Sequence, residues 1–206
     1  MPGLIGRKLG MSNVFTSDGQ LLPVTIIKAG PCPILGIRTN ERDGYKSLQI
    51  GFGSKKKSRV NKAEMGFYTK NNTDPVLVIK EFRNFDETQY KIGDKITVSL
   101  FNEGDKVKIT GKTKGKGFQG VMRRHGFGGV GGTTHGQSDR LRAPGSIGSS
   151  SYPSRVFKGQ RMAGRMGFEN VTISNLKVIK VMPEEDILMV KGSVPGAINS
   201  IVEINK

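Results

Sequence analysis

Short apolar runs recur along both ends of the chain, and Gly, Pro, Asn and Asp bound most of them. Residues 48–52 (LQIGF) alternate with a period of two, which is typical of a half-buried strand. Ten such runs lie at 24–27, 34–37, 48–52, 76–79, 96–100, 107–109, 171–173, 178–181, 187–190 and 201–204. Many short strands with few helix-length periodic stretches predict a mainly β protein, an all-β barrel or sandwich.

Two local signals complete this pattern. Residues 15–19 have the composition of a strand end that runs into a turn. The best helix candidate is short, at about residues 61–68, and Asn61 is a suitable N-cap because its side chain can accept a hydrogen bond from the first turn. No internal repeat of useful length is present.

The middle of the chain departs from the strand pattern. Residues 110–170 contain eleven basic residues against Asp139 and Glu169, and they hold 15 of the 29 glycines. Their larger apolar residues are scattered without a period of 2 or 3.6. A segment of this kind buries little apolar surface alone, so we expect an extended arm that is ordered by a partner neutralising its charge. The two flanks then form a β-barrel into which the arm is inserted.

Charge narrows the function further. The chain has 206 residues, a net charge of +16 and a pI near 10.1, which implies a polyanionic partner, either nucleic acid or an anionic membrane surface. No run approaches 18 apolar residues, and the N-terminus lacks the apolar core of a signal peptide. The single cysteine, Cys32, cannot form an internal disulfide, which fits a reducing compartment.

Three motifs resemble catalytic or nucleotide-binding signatures but fail in context. Residues 115–120 match GxGxxG, yet no βαβ alternation surrounds them. Residues 111–113 end like a P-loop, but Lys106 stands where the motif needs its first glycine. Residues 144–148 resemble a nucleophile elbow with Pro144 in the first glycine position. We therefore expect no enzyme activity, no catalytic residues and no cofactor.

The remaining chemistry favours binding. His125 and His135 have no cluster of further ligands, so no metal site is expected; they either lie in solvent or meet bases, phosphates or 2′-hydroxyl groups. Glycines admit phosphates to backbone N–H groups, and interleaved aromatic rings can stack on unpaired bases. A slender, nearly acid-free arm suits the interior of folded RNA, whereas duplex DNA needs no such probe. Residues 55–59 (KKKSR) are either a solvated loop or a second phosphate contact.

Two other functions compete with RNA binding. An enzyme that modifies RNA would require a cofactor pocket or a cluster of acidic, Cys or His groups, which the sequence lacks. A protein of anionic membrane surfaces would require an amphipathic basic helix, for which residues 110–170 are too glycine-rich and aperiodic.

Several short motifs follow one another along nearly the whole chain. They are Gly6-Arg7-Lys8-Leu9-Gly10-Met11, residues 113–120 (TKGKGFQG) with Arg124, Thr134-His135-Gly136, residues 144–148 (PGSIG), 156–159 (VFKG), 161–164 (RMAG) and 190–196 (VKGSVPG). In this order they resemble the motifs of the universal large-subunit ribosomal protein three family of bacterial type.

The resemblance implies a closed, translation-protein-like β-barrel of residues 1–109 plus 170–206, with a basic and helical excursion at 55–75, and an rRNA-penetrating arm at 110–169. It implies direct binding of large-subunit (23S-class) rRNA, an early role in subunit assembly, neighbouring large-subunit ribosomal proteins as partners, and a cytoplasmic, ribosomal location. DNA, membranes and a second copy of the chain are not expected as partners.

The resemblance also assigns residues. The arm tip nearest the peptidyl-transferase centre is expected at Ser146, Ser149, Ser150, Ser151 and Tyr152. Contacts with rRNA are expected from Arg7, Lys8, Lys55, Lys56, Lys57, Arg59, Lys112, Lys114, Lys116, Arg123, Arg124, His125, His135, Arg140, Arg142, Arg155, Lys158, Arg161 and Arg165.

Overall fold

Strands dominate the structure, and the predicted mainly β class with a closed barrel is confirmed. A computed structural model of the chain describes residues 3–16, 18–83, 85, 89–132, 135–136 and 140–206. Its elements are β1 (Gly3–Phe15), β2 (Leu21–Ala29), β3 (Cys32–Arg38), α1 (Asn40–Asp43), β4 (Ser47–Ser54), α2 (Lys62–Lys70), β5 (Val76–Phe82), β6 (Lys95–Ile96), β7 (Lys106–Lys112), β8 (Phe118–Gln119), α3 (Val121–His125), β9 (Gly164–Arg165), β10 (Asn170–Met182), β11 (Ile187–Lys191) and β12 (Ile201–Asn205).

Six strands close the barrel in the order β1-β12-β7-β10-β11-β2, and every neighbouring pair is antiparallel. Strand β7 shows why this sequence forms a barrel wall. Val107 and Ile109 are buried, whereas Lys106 and Lys108 between them are exposed. Each buried side chain of this size contributes about 1.5–3 kcal/mol, so the alternation fixes which face of the strand turns inward.

A second antiparallel sheet, in the order β5-β4-β3-β6, packs on the barrel. Their buried side chains form one continuous core, in which Ile34 and Leu48 of this sheet join Ile27 and Ile109 of the barrel. The predicted helix is confirmed as α2, and the Asn61 side chain accepts a hydrogen bond from the Glu64 N–H. Barrel and second sheet therefore share one hydrophobic interior.

Three elements differ from the sequence prediction. Residues 98–100 form a 3-10 turn, so the strand predicted at 96–100 stops at Ile96. Strand β1 runs for 13 residues, although the sequence indicates only its end near residue 15, because three glycines and two cations interrupt its apolar pattern. The runs at 171–173 and 178–181 are one strand, β10, with a register shift between Ile173 and Leu176.

The chain divides into two compact units. The first is Met1–Thr113 with Asn170–Lys206, and the second is Lys114–Glu169. The second unit contains the β8–β9 pair and α3, and its other described residues are irregular. Thr110 to Lys112, expected in the arm, belong to strand β7, where Lys112 pairs with Asn170. The domain boundary at 109/110 stays a prediction.

Candidate nucleic-acid interface

The second unit is held together where α3 meets the returning chain. Arg124 Nη1 donates to the Met162 carbonyl at 2.8 Å, and His125 Nε2 lies 3.1 Å from the same oxygen. Both side chains are half-buried. These two predicted RNA ligands therefore share a carbonyl inside the unit, which leaves less of each side chain available to a nucleic acid.

A short ladder continues from this junction. The Lys116 N–H donates to Met166 O and the Met166 N–H to Gly117 O, each at 2.9 Å. Gly164 faces the Arg124 guanidinium, and a Cβ at that position would lie 2.6 Å from Nη1. A side chain at position 164 would therefore displace the Arg124 guanidinium, so glycine allows the backbone and Arg124 to pack as one junction.

Most cations of the second unit face solvent. Within the part of the chain that the structure describes, nine of them are exposed and make no ion pair with a carboxylate. Unpaired, exposed cations at this density are the footprint expected of a phosphate-binding surface. They are Lys114, Lys116, Arg123, Arg140, Arg142, Arg155, Lys158, Arg161 and Arg165.

Aromatic rings are exposed beside these cations. Tyr152 is 88% exposed, Phe118 76% and Phe157 61%, far more than rings that serve a core. The Arg165 guanidinium lies 6.0 Å from the ring centroid of Phe168, which places a charge beside a stacking surface. Such rings can receive unstacked bases.

The predicted arm tip is fully accessible. Ser146, Ser149, Ser150, Ser151 and Tyr152 are all exposed. Ser146 Oγ donates to the Gly148 carbonyl, and Ser154 Oγ donates to Ser151. Hydroxyl groups thus stabilise local turns, while His135 nearby in sequence is also exposed. Thr134 and Asp139 lie outside the described residues.

In the first unit, the run at 55–59 is partly engaged. Lys55 Nζ lies 2.7 Å from Glu64 of α2, an ion pair that offsets its charge. Lys56, Lys57 and Arg59 are exposed and make no ion pair among the residues described. These three cations remain candidates for phosphate contact, and Lys55 holds the run against the helix.

Arg7 and Lys8 of β1 have different surroundings because successive residues of a strand point to opposite faces. Lys8 is buried, and its ammonium donates to Val194 O at 2.7 Å and to Gly196 O at 3.3 Å. Its burial argues against an rRNA contact, which stays a prediction. Arg7 instead lines a cavity, together with two cations that the sequence analysis did not single out, Lys28 and Lys95.

Sequence offered no signal for Lys28 and Lys95, since each is a lone cation at the end of a strand. The described residues contain no group of three His, Cys, Asp or Glu side chains able to hold a metal ion. Of the helices in those same residues, none is both long and apolar enough to cross a membrane.

Comparison with known proteins finds the same family that the sequence motifs resemble. Residues 77–186 match the family described as Ribosomal protein L3. Over 205 residues the chain is 50% identical to the large ribosomal subunit protein uL3 of Chloroherpeton thalassium, and this alignment covers 99% of the chain and 98% of that relative. Identity at this level over nearly the full length of both proteins means that the chain belongs to the Ribosomal protein L3 family.

Proposed function

We propose that this chain is a non-enzymatic, structural constituent of the large ribosomal subunit that binds large-subunit (23S-class) rRNA directly. The observation that carries the proposal is the set of nine exposed, unpaired cations of the second unit, interleaved with exposed aromatic rings. Folded rRNA supplies both phosphates for the cations and unstacked bases for the rings.

Family membership supports the finer parts of the proposal. The chain binds early in subunit assembly, contacts neighbouring large-subunit ribosomal proteins in the cytoplasmic ribosome, and directs the second unit toward the peptidyl-transferase centre. Ser146, Ser149, Ser150, Ser151 and Tyr152 are then nearest that centre, and all five are exposed.

The number of cations that meet phosphates determines how strongly rRNA affinity should depend on salt. If about 6–10 cations meet phosphates, affinity falls roughly 10³–10⁵-fold between 50 and 200 mM monovalent salt. Arg124 contributes less to this dependence, because it is half-buried and one of its five N–H donors already binds the Met162 carbonyl.

A competition titration tests the proposal. Labelled fragments of large-subunit rRNA are titrated with the full chain in the presence of excess unrelated structured RNA, across a series of salt concentrations. One fragment is expected to resist competition. If all RNAs compete equally, the isolated chain binds RNA through its charge alone and prefers no site. That result would contradict direct site recognition.

Removing positive charge from the second unit tests whether its exposed cations form the rRNA-binding surface. Neutralising five second-unit cations to Gln should reduce the salt slope by about five if each meets one phosphate. A matched variant removes five exposed cations of the first unit and should change the slope less. The test set is Arg140, Arg142, Arg155, Lys158 and Arg161, and the control set is Lys91, Lys106, Lys108, Lys177 and Lys180.

A further inference from the structure

A cavity of about 570 Å³ opens on the first unit. Its walls come from the barrel strands β1 and β2, from β3, β4, β5 and β6 of the second sheet, and from residues 72–75 before β5. Its size falls within the range of about 300–1,000 Å³ that proteins use for small-molecule sites. Arg7 and Leu9 of the motif at residues 6–11 line it, and all of its lining residues belong to the first unit.

The walls combine apolar and cationic groups. Phe52, Val76 and Pro33 provide apolar surface, and Arg7, Lys28 and Lys95 are the cations. Among the residues described, none of these three cations pairs with a carboxylate. An apolar hollow with unpaired cations at its walls suits a ligand that has a flat apolar part and a negative charge.

Gly53 forms part of one wall of the cavity. Its φ of +72° is a conformation that side chains disfavour. A Cβ there would lie 3.3 Å from Leu77 Cβ and 4.0 Å from Arg7 Nη2. The left-handed backbone and the close approach of Leu77 therefore favour glycine at this position, beside the Arg7 guanidinium.

Thr73 provides an independent observation. It lines the cavity, and its buried Oγ1 has no hydrogen-bond partner in the part of the chain described. A buried hydroxyl without a partner costs free energy in the free protein. Rotation about the Cα–Cβ bond of Thr73 would bring the hydroxyl to the edge of a bound base, whose donors and acceptors can provide the missing partner.

We propose that this cavity binds a single unstacked nucleotide of the bound RNA, with the base against Phe52 and Val76 and a phosphate on Arg7, Lys28 and Lys95. The inference rests on the proposed function, because it takes RNA as the partner. The three cations outnumber the one lining carboxylate, Asp74, so the cavity attracts an anion, and a nucleotide of the bound RNA brings a phosphate together with a flat base.

The first test removes the charge. In the full chain, Arg7→Gln, Lys28→Gln and Lys95→Gln together should lower affinity for the preferred rRNA fragment at least about 10-fold more than a matched triple variant of exposed barrel lysines, Lys108→Gln, Lys177→Gln and Lys180→Gln. Equal losses in the two variants would mean that the cavity holds no phosphate, and would overturn the inference.

The second test separates binding from folding. Thr73→Val keeps the shape of the side chain and removes the hydroxyl. Because that hydroxyl has no partner in the free protein, the variant should unfold at the same urea concentration as the wild type or at a higher one. It should nevertheless bind the fragment about 2–10-fold more weakly. Unchanged affinity would show that the Thr73 hydroxyl makes no hydrogen bond to a bound nucleotide, and would contradict that part of the proposal.

The third test identifies the occupant. A photo-crosslinking phenylalanine replaces Ser54, an exposed residue lining the cavity, and for comparison Lys180, an exposed barrel residue outside it. Irradiation of the complex with rRNA should join position 54 to one nucleotide, mapped by reverse transcription. A crosslink from position 54 to a protein in a reconstituted subunit, or an RNA crosslink no stronger than that from position 180, would mean that no RNA nucleotide occupies the cavity and would overturn the proposal.

The outcomes distinguish the two proposals. If the wild type itself shows no preference for any rRNA fragment, the proposed function fails. If the wild type shows that preference and the cavity variants behave like their controls, only the nucleotide pocket fails.

Discussion

Lys8 Nζ donates a hydrogen bond of 2.7 Å to the carbonyl of Val194, a residue 186 positions later in the chain. The backbone of Lys8 reinforces this link, since its N–H donates to Ser200 O and its carbonyl accepts from the Asn199 N–H. The connection between β11 and β12 is thus fastened to β1. A buried ammonium is tolerated here because backbone carbonyls replace its water.

Replacing Lys8 with Met tests this structural role. Lys8→Met keeps the aliphatic stem and leaves the Val194 carbonyl without its charged donor, so the free energy of unfolding should fall by about 1–3 kcal/mol. Urea unfolding measures the change. Lys56→Met, at an exposed cation, should stay within about 0.5 kcal/mol of the wild type. An unchanged stability for Lys8→Met would show that the bond is not formed in solution.

Arg123 and Arg124 are adjacent in α3 but should act differently. Arg123 is exposed, with one hydrogen bond to Gln119, whereas Arg124 donates to Met162 O. Arg123→Ala should therefore reduce the salt slope of rRNA binding by about one. Arg124→Ala should instead speed hydrogen exchange at the Lys116 and Met166 amides, which pair across the junction.

The comparison between the two arginines has its own internal control. Exchange at Lys116 and Met166 should be unaffected in Arg123→Ala. If Arg124→Ala left exchange unchanged and reduced the salt slope instead, Arg124 would be a phosphate ligand and the junction would not depend on it.

The sequence predicted the parts of the fold that local patterns determine. The alternation at 48–52 and the Asn61 cap lead directly to β4 and α2 because burial and capping act over a few residues. The 3-10 turn at Val98–Leu100 was missed because its apolar residues fit a strand equally well. Tertiary packing decides such short runs.

The candidate site was predictable in composition but not in detail. Exposed arm cations such as Arg155 and Lys158 follow from a segment with almost no carboxylates. The burial of Lys8 and the contact of Arg124 with Met162 depend on partners 186 and 38 positions away, which no local pattern contains. The convergence of Lys28 with Arg7 likewise arises only when β2 pairs with β1.

The thiol of Cys32 should not react with disulfide reagents while the protein is folded. Burial raises the pKa of its thiol to about 12, and Sγ lies 3.4 Å from the Ile5 carbonyl. The thiolate is the reactive form, so a disulfide reagent at mildly alkaline pH should modify the protein only in denaturant. Because the unfolded thiol ionises from about 9.0, stability should also fall as pH rises above that value. Rapid native labelling would contradict the burial of Cys32.

Asp105 links the turn before β7 to the last residue of the chain. Its carboxylate accepts from Lys206 Nζ at 2.6 Å and from the Asn102 N–H at 2.8 Å. These hydrogen bonds lower the pKa of Asp105 from its ordinary value of 3.8. The bond from Lys206 has the larger effect, and the bond from Asn102 the next largest.

A carboxyl group with a lowered folded-state pKa contributes stability above its unfolded value, and this contribution disappears as pH falls through the folded value. Asp105→Asn should therefore destabilise the protein at neutral pH, and the difference from the wild type should shrink once the pH drops below 3.8. Urea unfolding over a pH series measures this convergence. Glu103→Gln, at an exposed residue of the same turn, should show no such pH-dependent difference. A gap between Asp105→Asn and the wild type that stays constant into acid would mean that lost packing, rather than the lost charge, explains the destabilisation.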